Sequence, residues 1–496
     1  MGKQRGLIII IVLTCIFCSF SAGLCSDTPQ ESSDTGDSGE LTAQEIKDIL
    51  ERLKNAERKL DAQEKIMLSE EQILVDQGNL LNTLQNASKI PAWLKNVKLS
   101  EDFRFRLQGD FFSQDNAELM KPSEPDTIMN THQDRKRVRI RLRLSLIAKV
   151  NERMDIGTRL TTGNEKEPVS TNETLGDYCN KDGIVFDRAY LRWQPIQKTA
   201  LWFGRIPNPF DSTDLVWDKD INLEGLALTV DTCDEKSQAE KRWNGGGFFT
   251  GGIFPLQEVE FSSKDKYFYG GQIGVKYDWL SLLGFKLAVA YYDYQNIEGE
   301  FNEPLQADDE KDYTLPAFQQ KGNTLFDINT KITDTGVKQK LALASDYNQL
   351  DINGSFDIAF FNPVIIRLMA DYVKNIGFDK EKVNERTGYK KRAGQDIPEK
   401  TQGYQAGVSV GHREVKDLWQ WNCSFFLKHL EADAVIDAFT DSDFHLGGTN
   451  AEGWILNAQL GVAKNAWLSF TWLTADEIDG PPLAVDVLQI DLNACF

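Results

Sequence analysis

The chain is poor in the residues from which metal centres and catalytic sites are built. Only four histidines occur in 496 residues, at His132, His412, His429 and His445, too scattered to suggest a shared metal ion. Of seven cysteines, Cys15, Cys18 and Cys25 lie in the first 26 residues, and Cys179, Cys233, Cys423 and Cys495 are widely spaced with no CxxC pair. That speaks against both a disulfide scaffold and a zinc site. No Walker loop, HExxH or nucleophile elbow is found, so neither a cofactor nor catalysis is expected. Apolar runs are equally scarce. Apart from Leu7 to Phe17, no stretch approaches the ~20 residues that a spanning helix needs. Positive charge is in deficit, with 55 Lys+Arg against 75 Asp+Glu and a net charge of −20. A nucleic-acid partner held by bulk charge is not expected.

Aromatic residues, by contrast, are plentiful: 28 Phe, 13 Tyr and 11 Trp, too many for a chain that never buries them. An aromatic, acidic chain that is polar on average fits a transmembrane β-barrel, in which half of the strand residues face water. It also fits a soluble multidomain protein. The pattern along the chain decides between them.

Lys3 and Arg5 precede the apolar run, and small residues from Ser19 to Ser26 follow it, the layout of a secretory signal peptide. Residues 1–26 are read as that signal, with a retained membrane anchor as the alternative. Acylation of Cys25 is a further alternative, although Leu24 before it fits such a site poorly. Loss of residues 1–26 removes Lys3, Arg5 and no acid, so −20 becomes −22. Residues 27–40, rich in Ser, Asp, Gly and Glu, read as a flexible linker.

A heptad series follows. Ile46, Leu53, Leu60, Met67, Leu74 and Leu81 recur every seven residues, and Ile49, Ala56, Gln63, Glu70, Gln77 and Leu84 follow three later. Taken as a and d positions, they predict a helix over 41–86, about 69 Å long at 1.5 Å per residue. The predicted coiled-coil region spans 41–90 and ends at Ile90-Pro91. Its polar middle d layer weakens a coil but helps to fix register and oligomer state. A lone amphipathic helix lying on the protein's own surface is the alternative; six regular repeats favour self-association.

Beyond Trp93 the period changes from seven to two. Val138, Ile140, Leu142, Leu144 and Leu146 interleave with Arg137, Arg139, Arg141, Arg143 and Ser145. Strict alternation places the two sets on opposite faces of one strand. Sixteen such segments can be marked between 97–112 and 484–496, the least regular being 199–206, 222–230 and 242–252. Their connections alternate: short ones such as 151–153, 195–198 and 464–465, and long ones such as 113–134, 295–344 and 431–452. Short turns alternating with long loops, and an even strand count, are what an outer-membrane barrel shows. The expected fold is an all-β transmembrane barrel of about 16 antiparallel strands over 91–496, preceded by an α-helical coiled coil. At the end, Leu488, Ile490, Leu492, Ala494 and Phe496 alternate with Gln489, Asp491, Asn493 and Cys495, so an alternating strand closes on an aromatic.

Several motifs carry a resemblance. They include Pro91-Ala92-Trp93, Phe103-Arg104-Phe105-Arg106, the Arg137–Leu144 stretch, Gly157-Thr158-Arg159-Leu160 and Asp187-Arg188-Ala189-Tyr190-Leu191. The most specific is Gly204-Arg205-Ile206-Pro207-Asn208-Pro209-Phe210 followed by Val216-Trp217-Asp218, Asp220 and Gly225. Together they resemble the bacterial putative porin family, densely over 90–230 and more loosely beyond 240. The terminal Phe496 likewise resembles the C-terminal signal of bacterial outer-membrane barrels. The resemblance implies an outer-membrane, pore-forming barrel behind a periplasmic coiled coil, in contact with lipid and lipopolysaccharide. It also implies association side by side, for which a trimer on a three-stranded coil is expected.

The residues singled out for function are the strand arginines: Arg104, Arg106, Arg137, Arg139, Arg141, Arg143, Arg159 and Arg188. An arginine against mid-bilayer lipid costs about 2–4 kcal/mol, so apolar alternates that face lipid send these side chains into the lumen. There they either stabilise a passing anion or pair with acids of inward-folded loops and hold the barrel open. Both readings stand at this point. The expected function is passive diffusion of small hydrophilic solutes through a water-filled channel, and the arginine ladder suggests an anion preference. A phosphate- or anion-selective channel is a close variant, and a tether between outer membrane and cell wall is the structural alternative. A barrel-borne enzyme would need a Ser/His/Asp set gathered at the rim. The glycines Gly245–Gly247, Gly251 and Gly252 read as small residues on a strand. Asp308, Asp309, Glu310 and Asp312 form an acidic loop cluster, read as a solvated loop rather than a cation site, and Asn172-Glu173-Thr174 reads as loop.

Overall fold

Alternation of period two becomes sixteen long strands. The computed structural model describes residues 92–233, 243–260, 263–303, 311–330 and 338–496, together with nine residues between 51 and 75. The segments expected to be signal and linker, residues 1–40, lie outside the described residues, as do most of the heptad segment, most of the 231–241 connection and Asp308–Glu310. The nine described residues between 51 and 75 are helical, and Met67, Leu68, Ile73 and Val75 among them are exposed. They form part of a unit separate from Pro91–Phe496, and a coiled coil is not shown.

The strands are β1 (Val97–Phe112), β2 (Arg135–Asn151), β3 (Met154–Thr161), β4 (Val185–Ile196), β5 (Thr199–Pro207), β6 (Asn222–Asp231), β7 (Trp243–Gln257) and β8 (Lys266–Trp279). They continue with β9 (Leu283–Gln295), β10 (Asn348–Phe361), β11 (Val364–Asn375), β12 (Gln402–Gly411), β13 (Trp421–Leu430), β14 (Ala451–Ala463), β15 (Ala466–Glu477) and β16 (Ala484–Cys495). Each pairs antiparallel with its neighbours in sequence. The sheet closes because β1 pairs with β2 on one side and with β16 on the other, from Asp102↔Cys495 to Phe112↔Val485. A closed sheet has no edge, so every strand finds partners on both sides without water, as hydrocarbon demands.

All sixteen predicted segments are strands, with shifted ends. The largest shift is at β7, which runs to Gln257 rather than to 252. Pro255 argues against a strand there, yet it sits at a register shift between Pro255 and Gln257, where a missing N–H costs no ladder bond. The glycine run lies inside β7. One correction concerns Asn172-Glu173-Thr174. Glu173–Thr174 form a two-residue strand on Arg139 and Ile140 rather than plain loop.

Burial is inverted relative to a water-soluble core. Leu107 is 46% exposed, Ile273 62% and Ile490 44%, whereas Arg106 is 4%, Gln272 1% and Asp491 5% exposed. Apolar residues clad the outside and polar ones are enclosed, the arrangement a bilayer selects.

The inner surface is divided. On β7–β9, Phe254, Phe268, Tyr292 and Tyr294 point inward and form an aromatic wall. Two loops fold in against it. Loop 208–221 sets Phe210 edge-on to Tyr292 at 5.2 Å and Trp217 at 5.2 Å from Phe268. Loop 431–450 adds Val435, Ile436 and Ala438 to the same core, with Phe439 5.7 Å from Trp217. Gly270 makes the slot for Phe210, since a Cβ there would lie 2.4 Å from its ring.

Phe210→Ala should therefore release loop 208–221. Loss of a buried Phe costs about 3–5 kcal/mol. The expected readouts are a lower thermal midpoint and new protease cleavage between 211 and 220 in the detergent-solubilised protein. Unchanged protection of that loop would show that the aromatic wall does not hold it.

Candidate functional site

The eight predicted arginines fall on four adjacent strands, β1 to β4, opposite in polarity to the aromatic wall. Register places like beside like: Arg106 is opposite Arg139, Arg104 opposite Arg141 and Arg159 opposite Arg188. Like charges directly opposite are destabilising, so acids have to enter the cluster.

Some acids come from the strands. Asp491, opposite Arg106 on β16, accepts from Arg106 Nε at 2.8 Å and from Nη2 at 2.9 Å, a bidentate pair. Arg104 reaches the same carboxylate only at 4.0 Å and otherwise donates to Asn172. Arg137 donates to Asp110 at 2.7 Å, and Arg141 Nε to Asp102 at 2.8 Å. Arg159 pairs with Asp187. Asp187 is the extra residue of a bulge in β4, where the register steps from Arg159↔Arg188 to Leu160↔Phe186. That bulge re-aims the chain, so that Asp187 and Arg188 both join the cluster.

Other acids arrive on the inward loops. Asp443 accepts from Arg106 Nη1 at 3.1 Å, and Asp220 pairs with Arg143 while accepting from the Thr171 amide and hydroxyl at 2.9 Å each. Burial works to neutralise both carboxylates, but the guanidinium groups prevail. Arg106, Arg104 and Arg139 hold Asp443 well below the usual carboxylate range, and Arg143 and Arg141 lower Asp220. One step further from the ladder the balance reverses. Burial, reinforced by Asp220 and Asp441, pushes Asp218 well up. Burial with Asp214 and Asp443 raises Asp441 to about 6 despite Lys428. Asp437 is pushed up to about 7, chiefly by burial. Lys219, exposed to solvent yet enclosed by Asp214, Asp441, Asp218 and Asp443, has its pKa raised by them, and among the described residues it has no bonding partner.

The ledger of contacts is uneven. Six carboxylates lie within 4.0 Å of the eight guanidinium groups: Asp102, Asp110, Asp187, Asp220, Asp443 and Asp491. Arg139 and Arg188 meet none among the described residues. They donate instead to the side-chain carbonyls of Gln108, at 3.4 Å, and Asn222, at 2.7 Å. Among the described residues, the buried Nε groups of Arg104, Arg137, Arg139 and Arg143 have no hydrogen-bond acceptor.

Sequence reading missed the loop acids and Lys219. Their signal was present in the apolar content of the loops, Leu215-Val216-Trp217 and Ala434-Val435-Ile436. Such segments fold onto a core rather than into solvent. No group of His, Cys, Asp or Glu among the described residues could hold a metal ion. Of the acidic cluster predicted in the longest loop, Asp312 is described and pairs with Lys340.

A family model described as "Putative porin" matches residues 79–496. No curated protein matches the chain. Among solved structures, the high-pH structure of Pseudomonas putida OprB is 10% identical, covers 81% of this chain and 94% of its own, and gives a TM-score of 0.47. The outer membrane channel DcaP of Acinetobacter baumannii is 11% identical, covering 81% and 97% at 0.39. The anion-selective porin from Comamonas acidovorans is 12% identical, covering 81% and 99% at 0.41. These are distant likenesses.

The raised loop acids give a pH dependence with a definite sign. Asp437 and Asp441 are ionised at pH 8 and take up protons as the pH falls through about 7 and about 6, respectively. Because their folded pKa values are raised, their contribution to stability is greatest under acid conditions and declines as the pH rises through those values. In planar bilayers, lowering the pH from 8 to 5 should shift the reversal potential toward anions. Asp441→Asn should reproduce part of that shift at pH 8, and an identical reversal potential at both pH values would contradict it.

Proposed function

The chain belongs to the putative porin family, an outer-membrane channel family, and from that premise we propose passive diffusion of small hydrophilic solutes with a preference for anions. The observation that carries the preference is the pair of guanidinium groups, on Arg139 and Arg188, that face no carboxylate within 4.0 Å among the described residues. At an effective dielectric constant of ~20, one unit charge at 4 Å attracts an opposite charge by about 4 kcal/mol. Two unneutralised arginines on one wall are therefore enough to bias permeation. Arg106, Arg141, Arg143 and Arg159 are largely spent on their carboxylates, and their part is to hold the wall and the loops in place. The two readings of the ladder thus divide between its members. Neither cofactor nor catalytic step enters this function.

Arg139→Gln with Arg188→Gln should move the reversal potential toward cations while leaving the barrel folded. Arg141→Gln should have a smaller effect on selectivity and a larger one on thermal stability, because it leaves Asp102 unpaired. A reversal potential unmoved by the double change would make the ladder purely structural.

Residues 1–26 act as a signal peptide in this proposal, and 41–90 as a periplasmic coiled coil that joins barrels into a homotrimer. Deleting 41–86 should weaken trimers in cross-linking of intact cells while conductance survives. Trimers of undiminished strength would move assembly to the barrel walls. Loss of envelope attachment with trimers intact would favour the tether.

A further inference from the structure

A cavity of about 660 Å³ opens among the long loops, over the ends of β3, β7 and β8; its lining includes Thr171, Asp187 and Asn222, which bond to Arg143, Arg159 and Arg188, and the acids Glu165, Glu167 and Glu224. It is within the range of small-molecule sites. One side is apolar: Leu256, Phe318 and Phe439 are half-buried and rest on the aromatic core. Lys266, the first residue of β8, also lines it. The Lys266 side chain is enclosed, 2% exposed, and donates to the Leu315 carbonyl at 2.5 Å. No carboxylate among the described residues lies within 4.0 Å of its ammonium group. An ammonium group has three N–H donors, and this one has a single acceptor among the described residues. Two more polar atoms of the lining, Thr161 Oγ1 and Gln257 Oε1, are buried without a hydrogen-bond partner among the described residues.

An enclosed cation without a counter-ion is costly unless an anion joins it. An apolar wall beside it favours a body that leaves water. Together these features define one ligand chemistry. We infer that this cavity is a binding station for a carboxylate with an apolar body, such as an aromatic or medium-chain organic acid. The carboxylate accepts from Lys266, the body lies on Phe318 and Phe439, and any hydroxyl group it carries satisfies Gln257. The inference rests on the channel reading above and names the solute class that the channel would retain on its way in. The neighbouring opening onto Arg135, Arg137 and Arg139 shares Glu167 and Ser170 with this cavity, so a released anion has the ladder next to it.

The test uses the full chain in planar bilayers in KCl, with benzoate, acetate or benzamide added on the long-loop side. Benzoate should interrupt the chloride current in brief blockades, and acetate and benzamide should not. Lys266→Met keeps the length of the side chain and removes the charge. It should weaken benzoate block at least tenfold while chloride conductance stays as in the parent. Saturation-transfer NMR of benzoate on the solubilised parent protein gives a readout independent of insertion. Contact to the ring that acetate does not displace, but that octanoate does, is the expected result. Chloride current without benzoate block, or equal block in Lys266→Met, would overturn this inference and leave the channel reading standing. Absence of any chloride current would sink the channel reading, while the NMR contact would still decide the cavity.

Discussion

The interior of this barrel depends on the packing of two loops against one aromatic wall. Phe210 and Trp217 from one loop, and Ile436 and Phe439 from the other, join Phe254, Phe268 and Tyr292 in a single core. Apolar burial of this kind is non-directional and scales with area. Here it has a directional result, because the loops have two faces. With the apolar face against β7–β9, the opposite face carries Asp220 and Asp443 to the arginine strands.

That delivery resolves a conflict built into the strands. Alternation that suits a bilayer outside puts arginine beside arginine inside, with Arg106 facing Arg139 and Arg159 facing Arg188. Strand acids such as Asp491 and Asp187 offset part of the repulsion, and the loop acids offset more. Among the described residues, compensation stops short at Arg139 and Arg188. In the function we propose, a structural role and a permeation role fall to different members of the ladder, separated by whether a carboxylate lies within reach.

The acids themselves are graded. Among the loop acids, Asp443 and Asp220, which touch guanidinium groups, are held ionised, and Asp218 and Asp441 behind them are pushed toward neutrality by burial and by their ionised neighbours. The charge facing the ladder is therefore fixed at ordinary pH, and the charge behind it is adjustable.

Within residues 91–496, the sequence by itself determined the number of strands, their order and which side of each faces lipid. The reason is local: a strand has a side-chain period of two, and one residue of slip would turn its whole apolar set around. The eight arginines were legible for the same reason. Strand ends were less so, as at Pro255, because a bulge tolerates what a regular ladder does not. Only the tertiary structure decided which arginines are neutralised. Asp443 lies 337 residues from Arg106 in the chain, and Asp220 lies 77 from Arg143. No local period encodes such distances. The bulge that turns Asp187 inward, the slot at Gly270 and the cavity around Lys266 are likewise products of closure. They exist only once strands and loops far apart in sequence share one enclosed volume, where burial and charge act over a few ångströms of space.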